Sequence, residues 1–164
     1  MIIRNWTLLL FVISFISISS ALIAEYFFNL QPCELCIKQR HPYYLILICL
    51  VLIFFLKNLI KIWLCLLIQF ASVYGLFYSI WHVGVENKIL MGPAGCSAML
   101  TNSENAADLK AQILSKQVIS CDEVIWSFFG ISAASINTLV LLVIFILNAI
   151  YLIKYYGIKK EKSV

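Results

Sequence analysis

Apolar residues in this chain gather into four long runs, at about residues 6–28, 43–56, 60–82 and 128–153, with most of the charges collected between them. Crossing the hydrocarbon core of a bilayer takes roughly 20 apolar residues per helix. A backbone inside that core must satisfy its own hydrogen bonds, which for runs of this length means helices. The pattern predicts an all-α membrane protein: one domain over 1–164, built as a four-transmembrane-helix bundle. The second run is short; Pro42 is placed to begin its helix and Lys57 to snorkel to the far interface. Two loops, 29–41 and 83–127, then lie on one side of the membrane, and a short link between the second and third runs lies on the other.

Composition agrees, with 63% hydrophobic and 12% charged residues and a mean hydropathy of +0.97, far from the mix of a soluble domain. The net charge of +4 does not point to nucleic acid, because no basic stripe alternates with aromatics in a polar stretch. Lys159, Lys160 and Lys162 follow a hydrophobic segment and suit a tail at a lipid surface. Arg4 and the apolar run reaching Ser19, Ser20 and Ala21 have the outline of a signal peptide. The run continues to Phe28, interrupted only by Glu25, so the segment is expected to be retained as the first helix. Lys57 and Lys61 in the link and four lysines after position 153 put both termini in the cytoplasm. The lysine and arginine bias alone is modest, since Lys38, Arg40, Lys88, Lys110 and Lys116 lie on the outer side.

The cysteines change the picture most. Of six, Cys49 and Cys65 fall inside apolar runs and read as small hydrophobes. The other four, Cys33, Cys36, Cys96 and Cys121, all fall in the two outward loops, where an oxidising compartment allows disulfides to persist. Cys33-Glu34-Leu35-Cys36 is a Cys-x-x-Cys motif, more plausible as a redox pair than as a staple. If the second helix begins close by, Cys36 sits at its N-terminus, where free amides and the macrodipole favour a thiolate. Arg40, four residues on, is then expected on the same face as a permanent cation for that sulfur or for an anionic ligand; its structural alternative is an interfacial anchor.

Two other uses of four cysteines stay open. Zinc takes tetrahedral cysteine sets, although Cys96 and Cys121 are too far apart in sequence to form a second close-spaced half. Purely structural disulfides in the outer loops are the second. They would suit a membrane scaffold or transporter, a class that lacks support from paired intramembrane charges, because the runs carry almost no ionisable residue besides Glu25.

Pro32-Cys33-Glu34-Leu35-Cys36-Ile37 with Arg40, His82-Val83-Gly84-Val85-Glu86, Gly92-Pro93 before Cys96, and Cys121-Asp122 with Trp126 and Gly130 together resemble the disulfide bond formation protein B (DsbB) family. The resemblance spans almost the whole chain. It implies a quinone-linked oxidoreductase of the bacterial inner membrane, with both termini cytoplasmic, that reoxidises a periplasmic thiol oxidase of the DsbA type. It further implies that Cys96 takes the mixed disulfide with that partner and that Cys121 then exchanges with the first pair through Cys33. Cys36 is left as the thiolate facing the quinone, ubiquinone or menaquinone, and Arg40 matches the family's quinone-contacting arginine. His82 matches its quinone-site histidine when one residue is inserted between His82 and Cys96; otherwise it is an interfacial residue closing the third helix. Gln39 stands where some relatives have a glutamate, so no acid role carries over to it. Vitamin K epoxide reductase-type enzymes are the nearest enzymatic alternative, with a different cysteine layout.

One more element is expected in the second outer loop. Thr101 and Glu104 have capping-box spacing, and Leu109, Ile113, Leu114 and Val118 share an apolar face. A short interfacial helix over 101–118 would hold Cys96 and Cys121 at a fixed height above the first pair.

Overall fold

A computed structural model of the protein describes residues 5–56, 58–93, 121, 122, 124, 126–128 and 130–161. Four helices are found among them: α1 (Trp6–Tyr26), α2 (Glu34–Phe55), α3 (Asn58–Glu86) and, after a two-residue antiparallel pair of β1 (Ser127–Phe128) and β2 (Ile131–Ser132), α4 (Ala133–Glu161). All four are long and apolar enough to cross a membrane. Cys96 and the expected interfacial helix over 101–118 lie outside the described residues.

The fourth helix runs on to Glu161, past the expected residue 153, and three other helix boundaries differ from those expected, each for a local reason. The second helix starts at Glu34, well before residue 43, and Pro42 lies inside it. Cys33 caps this helix, its sulfur accepting the Cys36 amide at 3.2 Å. The polar residues that look like a loop form its first turns, with Glu34 and Lys38 pairing one turn apart at 2.7 Å. A proline removes one backbone donor, and helices packed in a membrane tolerate that loss. The third helix runs past His82 to Glu86, so His82 lies in its last turns and does not end it. Lys88 in the left-handed conformation (φ 58) closes it, with the Ile89 amide returning to the Gly84 carbonyl at 2.9 Å. The fourth helix begins at Ala133, not 128, because Gly130 (φ 80) turns the chain between β1 and β2. Ser132 then caps α4, its hydroxyl accepting the Ser135 amide at 3.1 Å.

α3 is central, packing most extensively on α2 and α4, while α1 covers α2 and, to a lesser extent, α4. The core is aliphatic, with Leu10, Ile46, Ile68, Leu141 and Ile144 fully buried and the free thiols Cys49 and Cys65 among them. Large apolar side chains such as Phe15, Phe54, Phe70 and Phe77 point outward, as the solvent of a bilayer requires. At the end of the bundle away from the Cys-x-x-Cys pair, Trp6 stacks on Tyr151 with centroids 4.0 Å apart. Inside that half, the buried Asn148 donates to the Cys65 carbonyl at 2.9 Å and to Gln69 at 2.7 Å, a polar tie between α3 and α4.

α2, α3 and α4 meet at Gly75. A Cβ there would sit 2.9 Å from Pro42 Cγ and 3.0 Å from Leu141 Cδ1, and the proline ring cannot rotate away. Gly75→Val is expected to cost about 1–3 kcal/mol through overpacking, read as a lower thermal unfolding midpoint in detergent; an unchanged midpoint would show that the three helices do not meet this closely.

Candidate redox site

The connection from α1 to α2 and the approach to β1 lie at the same end of the bundle, which brings Cys121 to Cys33. Cys33, Leu35, Val85 and Cys121 form one buried apolar cluster, edged by Cys36, Tyr78 and Trp81. Cys121 is in a disulfide, whereas Cys33 and Cys36 are free thiols. Their sulfurs are 2.7 Å apart, and joining them in a bond of roughly 2.05 Å needs little motion. The two thiols face different surroundings. Cys33, 3% exposed, lies on the Cys121 side, and Cys36 lines a cavity of about 550 Å3.

That cavity runs between α1, α2, α4 and the end of α3, with small residues of α1 (Ser17, Ala21, Ala24) on one wall. Its polar lining includes Cys36, Gln39, Arg40, His82, Glu86 and Asn137. A mainly apolar hollow of this size with a few convergent polar groups is the usual form of a small-molecule site.

The sequence-based expectation about the thiolate needs correcting. Cys33, not Cys36, occupies the N-cap, and its sulfur takes the first amide of α2. It also lies 3.6 Å from His82 Nε2. The Cys36 side-chain hydrogen bond holds the Cys33 thiol well below the usual 9.0; burial opposes this, and His82 and the Cys36 amide lower it further. In the reduced pair this arrangement favours negative charge on Cys33, with the Cys36 sulfur 2.7 Å away.

Arg40 lines the cavity beside Cys36, but its charge is already engaged: Nη1 pairs with Glu25 of α1, and Nη2 reaches the Ala21 carbonyl at 3.4 Å. Glu25 is the partner that holds this guanidinium, and the bundle does contain a paired charge near its Cys-x-x-Cys end. His82 is buried and joined to the thiol pair. Its Nδ1 lies 3.0 Å from Gln39 Nε2, and Glu86 Oε1 lies 3.9 Å from its Nε2. The ligating atoms of Cys33, Cys36 and His82 fall within 4.8 Å of one another.

Sequence reading missed Gln39, Asn137, Tyr43 and Ser79, which join α2, α3 and α4 behind this site. Tyr43 donates to Asn137 Oδ1 at 2.6 Å, and Asn137 Nδ2 donates to Gln39 Oε1 at 3.0 Å and to Ser79 Oγ at 3.3 Å. An available signal was Asn137 itself, an amide in an otherwise apolar span, since polar residues at membrane depth need partners and mark function.

Reduced protein should show thiolate ultraviolet absorbance at neutral pH that titrates away only well below the usual thiol value of 9.0. Cys33→Ala should abolish it. A single transition near the ordinary value would contradict the arrangement around Cys33.

Over residues 3–151 the chain matches the family described as "Disulfide bond formation protein DsbB". A relative from Rickettsia prowazekii (strain Madrid E), "Uncharacterized protein RP370", is 32% identical over 134 residues, covering 80% of this chain and 77% of the relative. No solved structure matches. A match over nearly the whole length, on a bundle whose Cys-x-x-Cys thiols touch, makes this chain a member of the DsbB family of membrane oxidoreductases that act in disulfide bond formation.

Proposed function

We propose that the protein reoxidises a periplasmic DsbA-type thiol oxidase and passes the two electrons to a membrane quinone. In this reading it lies in the bacterial inner membrane with both termini in the cytoplasm. The observation that carries it is the division of labour within one thiol pair. Cys33 is buried against Cys121, and Cys36 opens on a largely apolar cavity beside Arg40 and His82.

The exchange steps combine that placement with the roles that the family resemblance implies for Cys96 and Cys121. The reduced partner attacks Cys96 of a Cys96–Cys121 disulfide, and Cys121 leaves as a thiolate. Cys121 then attacks the Cys33 sulfur of a Cys33–Cys36 disulfide; the bond between Cys33 and Cys36 breaks, and Cys36 leaves as a thiolate on the cavity side. The partner's second thiol attacks its own sulfur in the mixed disulfide, which forms the partner's disulfide and frees Cys96; Cys96 attacks the Cys121 sulfur of the Cys121–Cys33 bond, which restores Cys96–Cys121 and leaves Cys33 and Cys36 as a dithiol. Cys33 and Cys36 rejoin as they give up two electrons and two protons, the same number that the partner dithiol lost.

The cavity suits a quinone headgroup by its volume, its apolar wall and the donors that converge on it. When bound there, a quinone supplies a two-electron, two-proton acceptor. Arg40, held by Glu25, offers N–H groups for a ring oxygen, and the thiol of Cys36 lies on the same wall.

In an assay of purified protein with reduced DsbA-type partner and added quinone, Cys36→Ser should abolish quinone reduction. Arg40→Gln should lower turnover by about a hundredfold, the scale of losing one preorganised charge-stabilising donor. Wild-type protein that transfers no electrons, or a Cys36→Ser variant with undiminished transfer, would overturn the reading.

A further inference from the structure

Behind the thiol pair, a row of side chains in the membrane interior has its hydrogen-bond directions dictated by one group that accepts and never donates. The Tyr78 backbone carbonyl receives Gln39 Nε2 at 3.3 Å, which turns the amide nitrogen of Gln39 toward α3. The second proton on that nitrogen points at His82 Nδ1, 3.0 Å away. Gln39 Oε1 is thereby turned to α4, where Asn137 Nδ2 meets it, and Asn137 Oδ1 is left to accept from the Tyr43 hydroxyl. Turning both amides over would re-pair the row, with His82 Nδ1–H donating to Gln39 Oε1, but it would set that oxygen against the Tyr78 carbonyl, acceptor against acceptor. Among buried groups such a mismatch is costly.

The same ring is constrained from its other side. Two acceptors face Nε2: the Cys33 sulfur at 3.6 Å and Glu86 Oε1 at 3.9 Å. A donor at Nδ1 and acceptors at Nε2 both select one neutral tautomer, with the proton on Nε2.

We propose that Gln39, aligned by Asn137 and Tyr43, is a positioning residue that locks His82 in its Nε2–H tautomer, making His82 a hydrogen-bond donor to the Cys33 sulfur and not a base toward it. The Nε2 lone pair is thereby withdrawn from a metal ion as well, although Cys33, Cys36 and His82 are spaced closely enough for one. A donor at this point stabilises charge on Cys33 whenever its bond to another sulfur breaks. The consequence for turnover rests on the proposed thiol relay; the tautomer itself does not.

Nitrogen-15 spectra of the full chain in detergent, labelled at histidine, test it. The chain has two histidines, and His41→Gln assigns the signals. Expected at neutral pH is an unprotonated Nδ1 and a protonated Nε2 in His82. Gln39→Met should let the ring populate both tautomers. In a Cys36→Ser background the same change should slow alkylation of Cys33 about tenfold, the lower end for losing a hydrogen bond to a charged group. A protonated Nδ1 in the wild type, or a Gln39→Met protein with the tautomer unchanged, would overturn the proposal; if Gln39→Met does not fold, the wild-type spectrum still decides. Loss of quinone reduction with the expected tautomer present would count against the relay alone, and normal quinone reduction with the proton on Nδ1 against this proposal alone.

Discussion

At the start of α2 a sulfur stands where a helix cap usually has an oxygen. Cys33 accepts the Cys36 amide, lies against the Cys36 thiol and faces a histidine ring. An amide donating to it, with a thiol and an imidazole in contact, makes this buried sulfur the favoured seat of negative charge in the reduced pair. Because the capping residue and the first turn are covalently continuous, the same hydrogen bond that starts the helix fixes Cys36 on the neighbouring wall, at the edge of the cavity. Helix initiation and thiol chemistry thus share one geometric requirement.

The rest of this half of the bundle supports that sulfur with polar groups that a bilayer would otherwise reject. Arg40 enters the bundle with Glu25 as its counter-charge, so the guanidinium is held without a buried uncompensated charge. Tyr43, Asn137, Gln39 and His82 form a continuous row across α2, α3 and α4. Each member satisfies the next, which is the condition under which a buried polar network specifies one arrangement. The opposite half of the bundle needs less: a stacked aromatic pair and the Asn148 tie suffice to hold aliphatic helices together.

Much of the fold was legible in the sequence because a membrane imposes a coarse filter. Length and apolarity alone give four spanning helices, and a Cys-x-x-Cys beside them in a connecting segment points to thiol chemistry. The start of α2 was not legible in the same way. Glu34, Lys38, Gln39 and Arg40 look like a loop to any count of apolar residues, and they are helical because each finds a partner on its own helix or on a neighbour.

What the chain determines by itself is therefore the number of spanning segments, the side of the bundle on which the thiols gather and the kinds of group available to react, since these depend only on composition and local order. Tertiary structure decided which sulfur carries the charge, that Arg40 answers to Glu25, and that an amide on α2 meets one on α4. Those outcomes depend on distances between residues as far apart as Gln39 and Asn137, and such distances exist only once the helices have packed.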